Sequence, residues 1–322
     1  MAQSDTWPDD LVLDEILVTA TKRPVGLQDV PVALSVVTGD KIEAMGMAEL
    51  EDLALYVPNV HIGKGAVTSL LFIRGVGSGM NPGFEQSVGT FVDSVYFGRG
   101  AYSRAAFLDL ERVEVLKGPQ LTLFGKNTIA GAINIATAQP TEEFEGYVEA
   151  AFESEVDGVA VSAMLSGPLS DTVRVRVAAR KSDDKGWMTN TAVGGVGGPE
   201  EDNLAIRGTL EWDASESLVL TLKAERNRYD VRGREQMISV ANPTATVLYQ
   251  TFGDGGFSPG FDYVRSARTS VQPEFHDIEA SVLQLTALYH WGDLAVTSIT
   301  AVSGYDYRDS GDGDYSALHF LE

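Results

Sequence analysis

Seven stretches between Glu145 and Tyr305 alternate apolar and polar residues with a period of two. In Glu145–Glu153 one face carries Gly146, Val148, Ala150 and Phe152, and the other Glu145, Tyr147, Glu149 and Glu153. Thr172–Arg180 sets Val173, Val175 and Val177 against Arg174, Arg176 and Arg180. Leu204–Trp212 sets Leu204, Ile206, Leu210 and Trp212 against Arg207, Thr209 and Glu211. Val159–Gly167, Leu218–Glu225 and Leu283–Trp291 repeat the scheme, and Leu294–Tyr305 reads as a strand with an ambiguous outer face. Successive side chains of a strand point to opposite sides, so each stretch predicts a strand with one apolar and one polar face.

Alternation alone fits two architectures. A soluble β-sandwich turns its apolar faces inward. A membrane barrel turns them out to lipid and keeps the charged face in a wet lumen. The connections separate the two. Pro168–Asp171, Asp213–Ser217 and Gly292–Asp293 are short, whereas Asp183–Asn203 and Asn227–Glu279 are long and polar; only Glu155–Asp157 breaks the rule. Short links on one side, long loops on the other, and Trp212 and Trp291 beside the short links describe an outer-membrane barrel with its aromatic girdle. Residues 141–322 are therefore expected to form antiparallel barrel strands, with a soluble secreted β-sandwich binding protein as the rival from another class. The chain has no run of about 18 apolar residues, so no transmembrane helix is expected; barrel strands are untouched by that test.

The first 140 residues follow a different pattern. Ala33–Thr38 reads as a strand, and Asp40–Met45 and Ala48–Leu55 as helices, the second stopping before Pro58. Leu70–Val76, Val88–Phe97 and Arg112–Leu116 are further strand candidates, with a turn at Asp93–Ser94. Composition then narrows the partners. Acidic residues outnumber basic ones 46 to 24, for a net charge of −22, which argues against nucleic acid. Cysteine is absent, excluding disulfides and thiolate metal sites. His61, His276, His290 and His319 are dispersed; Gly75, Gly77 and Gly79 lack the GxGxxG order; Asp309, Asp312 and Asp314 lack the EF-hand order. No nucleophile–base constellation is visible, so neither an enzyme nor a cofactor is expected. The opening MAQSDTWPDD has no basic or apolar segment of an export signal, so a signal is expected to have been removed or to lie ahead of this start.

Leu108–Thr137, LDLERVEVLKGPQLTLFGKNTIAGAINIAT, resembles the closing half of the plug domain of TonB-dependent outer-membrane receptors. Pro31–Ile62, Phe72–Gly75 (FIRG) and Val88–Phe97 are similar to earlier parts of that domain, and Asp14–Ala20 (DEILVTA) looks like the TonB box. Leu121 follows Gln120 where the family usually has Gly, and Lys126 stands where Arg is commoner, which bears on local turn geometry.

The resemblance implies an N-terminal α+β plug domain followed by antiparallel transmembrane β-barrel strands, an incomplete 22-stranded plugged barrel. Its divisions would be a periplasmic segment at 1–28, the plug at 29–140 and the first barrel strands at 141–322. A domain of about 130 residues has a radius of gyration near 14 Å, too large for a barrel of seven or eight strands. The TonB box would comprise Asp14, Glu15, Ile16, Leu17, Val18, Thr19 and Ala20. Tyr96, Arg99 and Tyr102 become ligand-contact candidates. Arg74, Gly75, Glu111, Arg112, Glu114, Lys117 and Gly118 carry the plug motif, with the plug charges expected against wall charges such as Arg174, Arg176 and Arg207. The implied activity is import of a scarce nutrient across the outer membrane of a Gram-negative bacterium, a ferric siderophore before haem, cobalamin or an oligosaccharide. A truncated, non-transporting fragment is a further alternative. Implied partners are the C-terminal domain of TonB, which delivers proton-motive force, outer-membrane lipid and lipopolysaccharide, and a small-molecule ligand.

Overall fold

The computed structural model describes residues 17–19, 22, 25–64, 69–79, 85–99, 107–190, 196–233, 243–251, 265–266 and 274–311. The N-terminal part opens with two short strands, β1 (Leu17–Val18) and β2 (Val25–Gly26), which pair antiparallel. Its centre is a five-stranded sheet built from β3 (Leu34–Thr38), β7 (Val88–Val92), β8 (Val95–Phe97), β9 (Leu110–Lys117) and β10 (Gly131–Thr137), in the order β3-β9-β10-β7-β8. β10 runs parallel to β7 and antiparallel to β9. A second sheet holds β4 (Val60–Lys64), β5 (Ser69–Ile73) and β6 (Val76–Gly77). Short helices at Gly39–Ala44 and Leu53–Tyr56 bury Ile42 and Leu53 in the core they share with Val37, Ile73, Val113 and Ile133.

The expected hairpin at Val88–Phe97 is present. Asp93 (φ 45°) and Ser94 (φ 70°) both take the left-handed conformation of a tight two-residue hairpin turn. The segment read as one strand over Leu70–Val76 is broken into β5 and β6 by Arg74 (φ 53°) and Gly75 (φ 79°), because two successive positive φ angles reverse the chain. Ala48–Leu55 is a 3-10 turn at Leu50–Asp52 followed by a helical turn.

Behind this domain, β11 (Glu145–Glu153), β12 (Gly158–Ser170), β13 (Val173–Asp184), β16 (Glu200–Ser215), β17 (Leu218–Arg232), β19 (Phe275–Trp291) and β20 (Leu294–Ser310) form one seven-stranded antiparallel meander. Between them β14 (Met188–Asn190), β15 (Val196–Gly198) and β18 (Arg265–Ser266) make a small sheet in the long connections, where a helix spans Pro243–Thr251. The register puts Arg176, Thr209, Lys223 and Gln284 in one row across four strands. That row faces the N-terminal domain, while Val148, Leu165, Val177, Ile206, Leu222, Leu283 and Val302 face away and stay exposed. A sandwich would cover this apolar face with a second sheet; the domain instead sits on the polar face. The meander is the wall of an outer-membrane-type barrel, present as an open sheet.

The wall strands are longer than their alternating stretches. β17 runs to Arg232 rather than Glu225, and β19 begins at Phe275 rather than Leu283. The added residues lie at the long-loop ends, beyond a lipid-spanning length of about 9–11 residues. There the outward positions carry Arg226, Arg228 and Arg232 while Tyr229, Val231 and Ile278 are buried on the inner side, so the alternation reverses while the ladder continues.

Candidate functional site

Functional chemistry concentrates where the N-terminal segment and the wall meet the central sheet near the short-link end. Glu114 of β9 is fully buried. Its Oε1 accepts from the Thr19 backbone N–H at 2.8 Å, the Thr19 hydroxyl at 3.2 Å and Arg112 Nε at 2.8 Å. Its Oε2 accepts from Asn134 Nδ2 at 3.1 Å, and Asn134 stands directly opposite Glu114 in the β9–β10 ladder. Thr19 Oγ1 in turn accepts from Arg112 Nη2 and Asn134 Nδ2, both at 3.2 Å. The hydroxyl thus donates once and accepts twice, its full capacity.

Packing reinforces this dock. Val18 is fully buried, which contributes about 1.5–3 kcal/mol for a side chain of its class. Lys22, turned back by a bond from its N–H to Thr19 O at 2.8 Å, places Nζ 4.3 Å from the centre of the Phe124 ring and 5.2 Å from that of Phe91. Burial pulls the Lys22 pKa down, and Glu114 partly opposes the shift.

The wall meets the domain through a row of cations. Arg176 Nε and Nη2 donate to the two Asp109 carboxylate oxygens at 2.7 Å each, and Nη1 donates to Glu145 at 2.8 Å. Arg207, almost fully buried, donates to Glu225 at 2.7 Å and to the Leu108 and Asp109 carbonyls, the latter at 3.2 Å. Lys223 donates to Asp93 at the hairpin turn, and Gln284 Nε2 reaches the Asp93 carbonyl at 3.2 Å. Asp93 also accepts from the Thr137 N–H at 2.9 Å and its hydroxyl at 2.7 Å. A cavity of about 570 Å³ lined by Thr19, Arg112, Asn134, Asp93 and Lys223 joins the dock to this clamp.

The residues singled out in the sequence are divided by the fold. Leu17, Val18 and Thr19 lie in the dock; Asp14, Glu15, Ile16 and Ala20 lie outside the described residues. Glu111, Arg112 and Glu114 gather around Thr19 rather than against the wall, and Arg174 pairs with Glu211 and Asp213 across neighbouring strands. Their place is taken by Asp93 and Asp109, which reasoning from charge alternation missed; a hairpin-tip Asp was the available signal. Arg74, Gly75, Lys117 and Gly118 group at the other end of β9. Gly118 has φ 104°, a Cβ added there would lie 3.6 Å from Arg74 Nη1, and burial followed by the Arg74 charge lowers the Lys117 pKa. Tyr96 accepts from Asn127 Nδ2 at 2.8 Å and packs on Phe91; Arg99 is exposed nearby, and Tyr102 lies outside the described residues. Glu85 bonds Lys126 at 2.9 Å, and the hydrogen bonds from Lys126 and Asn127 hold its carboxyl below the usual range. Among the described residues no group of His, Asp and Glu is placed to hold a metal ion.

Residues 26–132 match the family model of the TonB-dependent receptor plug domain. The vitamin B12 transporter of Vibrio vulnificus is 21% identical over 322 residues, covering 95% of this chain and 52% of that protein. The pesticin receptor of Yersinia pestis is 29% identical over 227 residues, 66% of this chain and 33% of its own length. Among solved structures, the ferric yersiniabactin uptake receptor of Yersinia pestis superposes with a TM-score of 0.73 at 22% identity, covering 87% of this chain and 42% of that one. The chain spans about half or less of the length of these proteins.

Proposed function

Because the chain belongs to the TonB-dependent receptors of the Gram-negative outer membrane, with their plug domain at residues 26–132 and barrel wall behind it, we propose that it serves energy-driven uptake of a scarce nutrient. The family is one of transport receptors. The observation that carries the proposal is the position of the plug, seated on the polar face of the wall with its N-terminal segment docked at the short-link end. In this reading the cargo binds from outside, with Tyr96, Arg99 and Tyr102 as contact candidates. The C-terminal domain of TonB then pairs by strand addition with the segment around Leu17–Thr19, main-chain hydrogen bonds supplying the affinity. Traction powered by the proton-motive force displaces the plug. The wall contributes contacts to lipid and lipopolysaccharide through its apolar outer face.

A ferric siderophore is the proposed cargo, supported by the ferripyoverdine receptor among the relatives and the ferric yersiniabactin uptake receptor among the structural neighbours. The test is uptake of radiolabelled ferric siderophores by iron-starved cells carrying the full-length receptor, with and without functional TonB. TonB-dependent accumulation of one chelate is the expected result. Uptake of cobalamin, haem or an oligosaccharide with no chelate uptake would redirect the cargo, and TonB-independent behaviour towards all of them would overturn the reading.

A further inference from the structure

Another cavity, of about 340 Å³, lies between the plug and the wall toward the long-loop end. Its charge differs from that of the clamp, where the wall supplies cations and the plug supplies carboxylates. Here both sides are acidic. The plug lines it with Glu49, and the wall with Glu153, Asp184 and Glu201. Asp184 and Arg180 lie an even number of residues along β13 from Arg176, hence on the same inward face, and the register sets Asp184 directly opposite Glu201. Asp183 and Arg228 border the cavity from outward positions and are paired with Lys185 and Asp230. Glu49, Glu153, Asp184 and Glu201 therefore outweigh Arg180 on the inward lining.

The amides of the lining add acceptors. Glu201 accepts from the Tyr229 hydroxyl at 3.1 Å and from Asn203 Nδ2 at 3.4 Å. Glu225 accepts from Asn227 Nδ2 at 2.6 Å and from Arg207 Nε at 2.7 Å. A carboxylate only accepts, so each amide is held with its nitrogen on the glutamate and its oxygen turned the other way. Those oxygens, Asn203 Oδ1 and Asn227 Oδ1, are buried and receive no donor, and Asn227 is only 4% exposed. A ligand that supplies the missing hydrogens relieves that cost. Like charges facing each other cannot fasten plug to wall, but they concentrate a cation between them. Among the described residues no group of His, Asp and Glu is placed to hold a metal ion, so the chemistry favours an organic cation.

We propose that this cavity is a cation-selective subsite that takes a protonated amine or guanidinium carried by the cargo. Glu49, Asp184 and Glu201 supply the field, and the Asn203 and Asn227 amide oxygens accept the N–H bonds. The assignment rests on the uptake reading for the ligand being cargo, and narrows that cargo to a chelate bearing a cationic, donor-rich group.

The test uses the full-length receptor in lipid vesicles, and reads the cavity first without cargo. Ser182, on the lining, is replaced by cysteine, a nearly isosteric change in a chain that has none. Its reaction rates with a cationic and an anionic methanethiosulfonate are each divided by the rate with a free thiol in solution, and the receptor lacking the substitution serves as blank. Their ratio cancels any change in the ionisation of the thiol itself. The cationic reagent is expected to gain at least about tenfold over the anionic one, as counter-ions do in a cleft of one charge sign. Glu49→Gln combined with Asp184→Asn should remove most of that gain, and so should high salt. Salt screening needs no further variant, so the charge reading is tested even where the double substitution fails to insert. Equal corrected rates in the folded receptor overturn the proposal.

Binding of a ferric trihydroxamate with one terminal primary amine is then compared with binding of the same chelate acetylated at that nitrogen. The amine form is expected to bind at least about tenfold more tightly, the effect of one hydrogen bond to a charged group, and the preference should vanish in the double variant. Equal binding of both forms overturns the assignment to cargo. Selective labelling with neither chelate bound or imported removes a ferric chelate as cargo and leaves the cation-selective cavity standing.

Discussion

Burying a carboxylate is costly unless donors replace its water, and the two most buried acids at the plug's working surface are answered in different ways. Glu114 is surrounded by four donors, two of them detachable. Asp109 is gripped by both arms of Arg176 in a planar, two-bond arrangement that suits a permanent anchor. Asp109 also sits at φ 49°, a conformation Asn adopts readily. Asp109→Asn should therefore keep the backbone while losing the charge pair, at a cost of about 2 kcal/mol to plug stability. Hydrogen exchange of β9 amides in the assembled receptor checks this; unchanged protection would mean that the anchor lies elsewhere. Gly131 is a steric case. At φ 156° its added Cβ would lie 2.3 Å from the Leu116 carbonyl oxygen, a backbone atom that cannot swing aside. Gly131→Ala is expected to destabilise the plug by about 1–3 kcal/mol, seen as a lower urea midpoint.

At the scale of elements, the wall strands were legible because lipid and lumen impose opposite demands on alternate residues. Glu145–Glu153 is β11 to the residue. The extended tips of β17 and β19 were not legible, since polarity reverses there, with Arg226, Arg228 and Arg232 outward and Tyr229, Val231 and Ile278 buried inside. Lipid-facing positions should reject charge according to depth. Leu285, outward and inside the lipid-facing stretch of β19, is expected to lose about 2–4 kcal/mol of folding free energy on substitution by Arg, measured by reversible folding into vesicles. Leu285→Ala should cost clearly less. The docked N-terminal strand carries its own pH signature. Burial lowers the Lys22 pKa in the dock, whereas a released segment regains the ordinary value of about 10.4. The docked form thus binds fewer protons between those two pKa values, so docking tightens as pH rises through that window and is weakest below it. A label on residue 17 should lose mobility as pH climbs toward about 10.4, and Lys22→Met should flatten the curve.

At the scale of the whole molecule, domain order was readable from motif order, but the contacts that make a machine of it were not. Thr19 and Glu114 lie 95 residues apart, and Asp93 and Lys223 130 apart; no local pattern announces either pair. They exist because a five-stranded sheet presents β9 and β10 side by side and because seven strands in fixed register align Arg176, Lys223 and Gln284 beneath that sheet. The resulting division of labour is asymmetric. Asp93, Leu108 and Asp109 tie the later part of the plug to the wall, while Leu17–Thr19 and Lys22 are held by contacts within the plug itself. Removing residues 14–22 from the full-length receptor should consequently leave the wall anchors and the cargo-facing loops in place. Cargo affinity at the cell surface is expected to change by less than about tenfold, because the described residues of the segment, Leu17, Val18, Thr19 and Lys22, bond and pack at the dock. Accumulation inside the cell should fall to the level of cells lacking TonB, because the segment that strand addition needs is gone. Binding and uptake measured on the same cells separate the two effects. A deletion that abolishes binding as well would show that the N-terminal segment supports the plug's outer surface, and one that leaves uptake intact would remove the segment from the energy path.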